Sequence, residues 1–402
     1  MAPQKHRRSS IEANPLQSGP QFNLIYVGAG AINFGTDEGP WNHSKRVEQK
    51  WGKRLNVVGI VDPNTAKADL ELSKKRESFV ADAYKNTKTF PTVAAARKEL
   101  EGESFPHAII VGAPPKFRGG LRTPADLELS ILEHFPKVAM FIEKPVTTGP
   151  SEEAGEVGKR IAKTGNPVAV GYMLRYSKAV QAMIGLIEEK NLTVMCTSAR
   201  YVMAYEKAVN IDWWDKSISC GPIVEQATHF CDLSRYFGGD VKLDSVQAHS
   251  VEWDEEPGQL SKQNIDESKV PAEQRIPRFT SASWKYTNGT VGSLIHGVAL
   301  HDTDYYTELT VFADGYLLRL VDPYNNPTLY VRSPNSNAEK VQTFTNDDCF
   351  YSEISNWGDE IERQAEHKDE PIDHTILSSY EDAVKTYEFT WAIRLASERS
   401  RQ

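Results

Sequence analysis

The chain has 402 residues, 40% of them hydrophobic and 25% charged, a globular composition at a length that predicts two or three domains. Its 46 basic and 55 acidic residues give a net charge of −9, so the chain lacks the positive field that nucleic-acid binding requires. No apolar run reaches the roughly 18 residues of a membrane-spanning helix, and neither nucleic acid nor a membrane is expected as a partner.

The cysteines and the amino-terminal segment predict the compartment. Four cysteines are too few for a disulfide framework and form no Cys-x-x-Cys pair, which favours a reducing environment. Residues 1–21 are basic and polar without an apolar stretch, so they predict a disordered tail and not a secretory signal. The spacing of Cys220, His229 and Cys231 fits no zinc pattern. These features predict a cytoplasmic protein without a metal site.

The first half of the chain alternates short apolar runs with longer charged stretches of helical period. The apolar runs predict strands at 22–27, 55–61, 107–111 and 138–142, and the charged stretches predict helices at 65–84 and 124–135. Buried strands that alternate with amphipathic helices are typical of a parallel sheet covered on both faces. We therefore expect an α/β domain over residues 22–150.

The second half is mostly extended and predicts a different domain over residues 151–402. Asn288-Gly289 and Asp314-Gly315 each separate two alternating apolar runs, which is the signal of consecutive hairpins in an open antiparallel sheet. The charged segment 254–275 has no clear period and predicts a loop insertion. The remaining elements are predicted as helices at 151–163, 223–237, 350–366 and 379–397, and as strands at 167–171, 193–205, 280–286, 290–298, 306–312 and 316–321. The last helix is expected to pack back on the first domain.

The first predicted strand runs into Gly28-Ala-Gly30-Ala-Ile-Asn33. A dinucleotide-binding loop needs glycine at the first of these positions for a tight turn and at the second for close approach of the pyrophosphate. Gly28 and Gly30 meet both needs, and Ala31, Ile32 and Asn33 open the next helix, although Asn33 replaces the third glycine of the pattern. The loop predicts a Rossmann domain that binds NAD or NADP.

Asp62 ends the second predicted strand, where an acidic residue accepts hydrogen bonds from the ribose diol and repels a 2′-phosphate. This favours NAD over NADP. The interval from Gly30 to Asp62 exceeds the usual distance of about twenty residues. We therefore interpret residues 36–52 as an insertion in the first crossover.

Several motifs, taken together, resemble the glucose–fructose oxidoreductase, inositol dehydrogenase and MocA family. They are Glu143-Lys144-Pro145 after the fourth strand, the segment 171–176, the segment 220–232 and the helix that begins near Tyr380. The resemblance implies a Rossmann domain followed by an α/β domain whose open, predominantly antiparallel sheet mediates homo-oligomerisation. It also implies hydride transfer between NAD(P) and a carbinol or carbonyl carbon of a small polyhydroxylated substrate.

The resemblance also implies roles for individual residues. Lys144 points toward the substrate oxygen and the nicotinamide. His229 has the intrinsic pKa of an acid/base catalyst, and Glu225 assists it from the same face of one predicted helix, four residues earlier. Glu225 replaces the family's aspartate and keeps the carboxylate with a longer reach. Pro114 and Glu143 are further expected cofactor contacts, and Tyr172 and Arg175 further substrate contacts.

Other interpretations of these residues stay open. Arg175 fits a clamp for an acidic sugar but fits a surface ion pair better. Trp213-Trp214 and the nearby tyrosines fit either stacking on a sugar or ordinary packing. The substrate class is a sugar, a sugar acid or a polyol, with a cyclic imine or diol of secondary metabolism as a neighbouring possibility. The rival class is a non-catalytic, nucleotide-binding regulator of the fungal galactose-repressor type.

Overall fold

A computed structural model describes residues 19–36, 39–367 and 375–400. The chain forms two compact units, the first made of residues up to 173 together with 348–384, and the second made of 174–347 together with 385–402. Most of the predicted amino-terminal tail, residues 1–18, lies outside the described residues. The division places 151–173 in the first unit, whereas the sequence predicted a boundary at residue 150.

The first unit is a parallel α/β sheet. Within its described residues the strands are β1 (Phe22–Val27), β2 (Leu55–Val61), β3 (Lys88–Phe90), β4 (Ala108–Val111), β5 (Ala139–Ile142) and β6 (Val168–Val170). The helices between them are α1 (Ala31–Phe34), α2 (His43–Trp51), α3 (Thr65–Arg76), α4 (Ala81–Tyr84), α5 (Val93–Glu99), α6 (Leu127–His134) and α7 (Ser151–Ala162). The strands pair in the order β3-β2-β1-β4-β5-β6, all in parallel. This order is that of a dinucleotide-binding Rossmann fold, with its switch point between β1 and β4.

The buried apolar runs explain this sheet. Every residue of β1, β2, β4 and β5 is buried, as expected for strands covered on both faces. The four strands predicted in this region are confirmed. The predicted helix 65–84 is wrong in detail, since the structure breaks it into α3 and α4.

The segment 36–52 is more than an insertion, because it contains α2, the main helix of the first crossover. Asn42 connects this helix to α1: its side chain accepts a hydrogen bond from the N–H of Lys45 at 3.0 Å and donates one to the carbonyl of Phe34 at 3.1 Å. A cap of this kind satisfies an N–H group that the first helical turn leaves unpaired. The first residue of α2, His43, is thereby fixed in the interior.

A later helix, α12 (Cys349–Glu366), completes the first unit by packing against α2. Trp51 on α2 stacks on Phe22 of β1 at 4.1 Å between ring centroids and meets Trp357 of α12 edge-on at 6.4 Å. All three rings are buried in the core of this unit.

The second unit is built on a mostly antiparallel sheet. In its described part the strands are β7 (Val194–Ala204), β8 (Gln247–Val251), β9 (Phe279–Lys285), β10 (Val291–Leu300), β11 (Tyr306–Ala313), β12 (Tyr316–Val321), β13 (Thr328–Arg332) and β14 (Glu339–Thr343). They pair in the order β14-β13-β12-β11-β7-β10-β9-β8, and all pairs except β7 with β10 are antiparallel. The fold class and both predicted hairpins are confirmed, with Gly289 and Gly315 at positive φ in the two turns.

The helices of the second unit are α8 (Lys178–Glu189), α9 (Lys216–Ser219), α10 (Pro222–Glu225) and α11 (Thr228–Gly238), and α13 (Tyr380–Ser400) begins in the first unit and ends in the second. The predicted helix 223–237 is wrong, because the chain breaks between α10 and α11. The segment 254–275 forms short 3₁₀ turns and no α-helix or strand, as predicted. Among the described helices, none combines the length and apolar composition needed to cross a membrane.

Candidate functional site

The glycine loop of the first unit has the shape that a dinucleotide requires. Gly28 follows β1 with φ +94°, and a Cβ at this position would lie 2.9 Å from the backbone nitrogen of Ala113. A Cβ on Gly30 would meet nothing within 4 Å, so this position faces open space. Ala31 and Pro114 are exposed and Ile32 is half-buried, which leaves the predicted contact residues accessible to a ligand.

Asn33, at the third glycine position, supports the loop from inside. Its side chain is fully buried and donates hydrogen bonds to the carbonyls of Gly28 at 2.7 Å and Val27 at 3.3 Å. A Cβ on Gly112 would come within 2.6 Å of the Asn33 Oδ1, so this side chain fills the space above the end of β4. Asn33 therefore takes over the packing that the third glycine normally allows.

Asp62 lies beside the same loop. Its Oδ2 accepts a hydrogen bond from the Ala29 N–H at 2.7 Å, and its Oδ1 accepts one from the Asn64 N–H at 2.8 Å. The carboxylate is half-buried, so a ribose hydroxyl can reach its remaining lone pairs. The residues present fit the adenosine half of a dinucleotide.

Alanine substitutions in the loop separate folding from binding. Gly28→Ala is expected to lower the free energy of unfolding by about 1–3 kcal/mol. Residue 28 has a positive φ that alanine disfavours, and the new Cβ would clash with the backbone of Ala113. Gly30→Ala is expected to leave stability unchanged and to weaken NAD binding about tenfold or more, because its Cβ occupies the space the pyrophosphate would take. Thermal shifts with and without NAD measure both effects. Equal loss of stability in the two variants would contradict this assignment.

Glu143 and Lys144 follow β5 at the same edge of the sheet. The Glu143 carboxylate is buried, its Oε1 lies 2.6 Å from the Nε2 of His43, and its Oε2 accepts the N–H of Lys144 at 3.1 Å. Burial alone would raise the pKa of Glu143, but the hydrogen bond and charge of His43, with two nearby cations, hold it below its usual range. Glu143 is therefore an anion at neutral pH. Lys144 itself is half-buried.

Arg118 lies beneath this strand end, fully buried. Its guanidinium donates a hydrogen bond to the backbone carbonyl of Glu143. Tyr172, predicted to bind substrate, is 1% exposed and lies close enough to Arg118 to interact with its charge. The predicted contact between Tyr172 and substrate stays a prediction.

Glu128 on α6 is a second buried carboxyl near Arg118. Burial raises the pKa of Glu128 to about 7. Two groups favour its ionised form: the Gly119 N–H, which donates a hydrogen bond to the carboxyl at 2.9 Å, and the charge of Arg118. The folded protein therefore binds a proton here between about pH 4.5 and 7 that the unfolded chain has already released.

This proton makes stability fall as pH rises through that window. The loss amounts to about 3 kcal/mol by pH 8, and the Glu128→Gln variant is expected to lack it. Urea unfolding at pH 5 and pH 8 measures the difference between wild type and variant. Glu133 is exposed on the same helix, and Glu133→Gln is the matched control that is expected to keep the wild-type pH dependence. Parallel pH dependence in wild type and Glu128→Gln would refute the shift.

In the second unit, the break between α10 and α11 separates Glu225 from His229. Glu225 is the last residue of α10 and His229 the second of α11, so they do not share one helical face as predicted. The Glu225 Oε2 accepts a hydrogen bond from the indole N–H of Trp213 at 3.0 Å. His229 is 8% exposed and meets the ring of Tyr324 edge-on at 6.2 Å.

Aromatic side chains surround these two residues. Tyr201 on β7 stacks on His296 at 5.6 Å between ring centroids. It also meets the rings of Phe230, Tyr305 and Tyr324 edge-on at 5.6, 6.0 and 6.2 Å. Burial lowers the pKa of His296 to about 3, so its ring is neutral, and its Nε2 lies 2.9 Å from the Oε1 of Gln226. This part of the second unit combines the Glu225 carboxylate with several aromatic faces.

Arg175 forms a buried ion pair. Its Nε and Nη2 donate to the two oxygens of Asp232 at 2.7 and 2.6 Å, and its guanidinium lies 4.9 Å from the centroid of the Tyr236 ring. The predicted surface ion pair is therefore wrong, because both partners are buried. Asp232 also accepts a hydrogen bond from Thr386 at 3.0 Å. Whether Arg175 reaches substrate stays a prediction.

Sequence reasoning missed His43, Arg118, His296, Tyr305 and Tyr324. Each lies far along the chain from the residue it contacts, and none belongs to a local motif. The one usable signal was indirect: a carboxylate in a buried strand end, such as Glu143, needs a donor from elsewhere in the fold. Among the described residues, no group of three or more His, Cys, Asp or Glu side chains has metal-binding geometry.

Comparisons with known proteins agree with this architecture. Residues 22–172 match the model of the oxidoreductase family with an NAD-binding Rossmann fold, and residues 175–316 match an oxidoreductase C-terminal domain. An uncharacterised protein of Schizosaccharomyces pombe is 46% identical over 384 residues, which are 95% of this chain and 93% of that protein. The chain belongs to this oxidoreductase family. The resemblance to glucose–fructose oxidoreductase, inositol dehydrogenase and MocA is thus confirmed, and the first unit is its NAD(P)-binding domain.

Solved structures of low identity share the fold. UDP-N-acetylglucosamine 3-dehydrogenase from Acidithiobacillus ferrooxidans is 17% identical with a TM-score of 0.66, over 95% of this chain and 99% of that one. A super-repressor mutant of Gal80p from Saccharomyces cerevisiae is 12% identical with a TM-score of 0.69, over 94% of this chain and 96% of that one. An enzyme and a repressor are both similar to this chain, so the fold alone does not decide between them.

Proposed function

We propose that this oxidoreductase transfers hydride between NAD(P) and a CH–OH or carbonyl carbon of a sugar, sugar acid or polyol. One observation carries the proposal. Lys144 follows β5 and the Gly28–Gly30 turn follows β1, at the same edge of the sheet and two strands apart, or about 10 Å. A cation at that distance from a dinucleotide loop supports a role for Lys144 at a substrate oxygen next to the nicotinamide.

NAD is the cofactor we favour over NADP. The Asp62 carboxylate faces the loop, where it would accept the ribose hydroxyls and repel a 2′-phosphate. When bound, the nicotinamide supplies or accepts the hydride. The chain's own contribution is to hold the dinucleotide through Gly28, Gly30 and Asp62 and to manage the proton of the substrate hydroxyl.

We propose that His229 and Lys144 together handle the proton of the substrate hydroxyl. Hydride removal from an alcohol carbon requires loss of the hydroxyl proton, and a group near neutral pKa performs this step best. We assign acid/base catalysis to His229, polarisation of the substrate oxygen to Lys144, and orientation of a substrate hydroxyl to Glu225. The aromatic faces around Glu225 suit the apolar face of a sugar ring. The engagement of Arg175 with Asp232 favours a neutral substrate over a sugar acid.

The test is NADH absorbance with purified protein and a panel of sugars, polyols and uronates, with NAD and NADP compared for each. Turnover with a neutral sugar or polyol is the expected result, with NAD preferred. Tight nucleotide binding without turnover on any compound of the panel would overturn the enzymatic assignment in favour of a nucleotide-binding regulator.

We also propose that the protein is a cytoplasmic homo-oligomer that associates through the second unit's sheet. The sheet face opposite α11 exposes Tyr306, Phe312 and Val341 by 42 to 58% of their surface. On the same face Glu308 is only 3% exposed and is paired with Arg200. Apolar side chains around a satisfied ion pair are the composition of an interface.

Light scattering tests the assembly. Phe312→Arg is expected to lower the oligomeric state of the wild-type protein. The control is Phe79→Arg, since Phe79 is 99% exposed on the first unit and lies outside the sheet face. An unchanged mass for Phe312→Arg, or a monomeric wild type, would count against the proposal.

A further inference from the structure

His43 makes an unusual contact for a residue of the first crossover. Its ring is fully buried, and its Nε2 lies 2.6 Å from the carboxylate of Glu143. The ring is fixed by edge-on contacts with Phe141 at 5.1 Å and with Phe350 at 6.4 Å. A Cβ on Gly171 would come within 2.9 Å of the Glu143 Oε1, so the carboxylate is tightly enclosed on its other side. His43 therefore holds one oxygen of a carboxylate that has little room to move.

A second buried carboxyl lies in the same region. Glu353 is 1% exposed on α12, the helix that packs against α2, and it is three residues from Phe350, on the same helical face. Among the residues that the structure describes, neither oxygen of Glu353 has a hydrogen-bond partner, and neither does the Nδ1 of His43. Three buried polar atoms thus lack partners on two packed helices, which is a costly arrangement unless a bound water joins them.

The charge around Glu353 favours its neutral form. Burial raises the pKa of Glu353 most, and the negative charges of Glu143 and Asp348 raise it further, while Arg46 opposes them. The influence of Glu143 also shows that Glu353 lies within electrostatic reach of the His43 pair. A neutral carboxyl both donates and accepts hydrogen bonds, so it suits the Nδ1 of His43 in either protonation state of the ring.

We propose that His43 and Glu353 act together as positioning residues that keep the carboxylate of Glu143 charged and fixed in orientation. Neutral Glu353 pairs with the Nδ1 of His43 through one bound water, and the Nε2–H of His43 holds Glu143. Glu143 in turn neutralises the cation of the next residue, Lys144. The inference deepens the proposed function and rests on it, since Lys144 is the residue that meets the substrate oxygen.

Other charged groups lie around this chain of contacts. Arg118 donates to the backbone carbonyl of Glu143 from below the strand. On α2, Arg46 pairs with Asp348 at 3.1 Å and its guanidinium lies 5.3 Å from the centroid of the Phe350 ring. These groups stay in place in the variants described next, so a change at Lys144 reports on His43 and Glu353.

The test measures Lys144 without substrate or nucleotide. Competitive acetylation of the full-length protein across a pH series, read by mass spectrometry, gives the pH midpoint at which Lys144 becomes reactive. His43→Phe is expected to lower this midpoint by about one unit, a tenfold change in reactivity, because Glu143 loses the donor that fixes its orientation and its charge no longer lies against the Lys144 ammonium. His43→Gln keeps an N–H donor and is expected to stay near wild type. Lys137, exposed before the same strand, is the internal control.

Glu353 is tested by a second pair of variants. Glu353→Gln keeps a neutral group that donates and accepts, so the midpoint of Lys144 is expected to stay at the wild-type value. Glu353→Leu fills a similar volume without polar atoms and is expected to shift the midpoint as His43→Phe does. An unshifted midpoint in folded His43→Phe, or equal shifts in the two Glu353 variants, would overturn the proposal.

The outcome is independent of whether the protein turns over a substrate. A shifted Lys144 midpoint together with no activity on any compound would contradict the proposed function and still support the positioning role of His43 and Glu353. Where activity is found, His43→Phe is expected to lower kcat about tenfold with KM and nucleotide affinity unchanged. A rise in KM alone would overturn the role of His43 in positioning.

Discussion

Lys144→Ala is expected to lower kcat/KM for the best substrate by about three orders of magnitude and to leave the affinity for NAD within a factor of about three. The side chain is half-buried at the end of β5, two strands from the Gly28–Gly30 turn, whose Gly28 N–H donates to the carbonyl of Val61 at the end of β2. Its removal therefore deletes polarisation of the substrate oxygen without altering the nucleotide loop. Steady-state kinetics and nucleotide fluorescence titration measure the two quantities.

The matched control is Lys137→Ala. Lys137 is exposed just before β5, whereas Lys144 follows its other end, so the two substitutions remove the same group from one strand. We expect wild-type kinetics for Lys137→Ala. If Lys144→Ala kept more than a tenth of the wild-type kcat/KM, its assignment to the substrate oxygen would be wrong. If both variants lost activity, the effect would lie in the stability of β5.

The nucleotide-binding half of the molecule was largely predictable from the sequence, for a physical reason. Strands buried on both faces are continuous apolar runs, and the turn after β1 needs Gly28 at positive φ, so the pattern is written locally. Asn33 shows the limit of what the local sequence pattern predicts. Its replacement of glycine looked like a defect in the motif, but the buried amide makes hydrogen bonds that only the folded loop reveals.

The substrate side was predicted less well because its contacts are long-range. Glu225 and His229 have helical spacing, yet the helix is interrupted at Gln226 and Ala227, so the two side chains do not share one helical face. Periodicity reports which face a residue would occupy in an unbroken helix and carries no information on where a helix stops when no Gly or Pro marks the end. The pairing of His43 with Glu143 spans 100 residues and left no local signal.

Asp232→Ala is expected to lower the free energy of unfolding by about 3–5 kcal/mol, because it leaves the Arg175 guanidinium buried without its anion. Asp232 is 1% exposed and accepts both Nε and Nη2 of Arg175, and a third hydrogen bond comes from Thr386. Thr386 in turn accepts a hydrogen bond from Arg235 at 2.8 Å, so the substitution also opens a connected network. Urea unfolding measures the loss.

The double variant Arg175→Met with Asp232→Leu distinguishes a buried charge from a lost contact. Removing both charges avoids the unpaired guanidinium, and the double variant is therefore expected to be more stable than Asp232→Ala by about 2 kcal/mol or more. Two equally unstable variants would mean that the hydrogen bonds around Asp232, and not its charge, provide the stability. Full recovery of stability would instead leave Arg175 and Asp232 without a structural requirement, and the substrate contact predicted for Arg175 would become the reason for the pair.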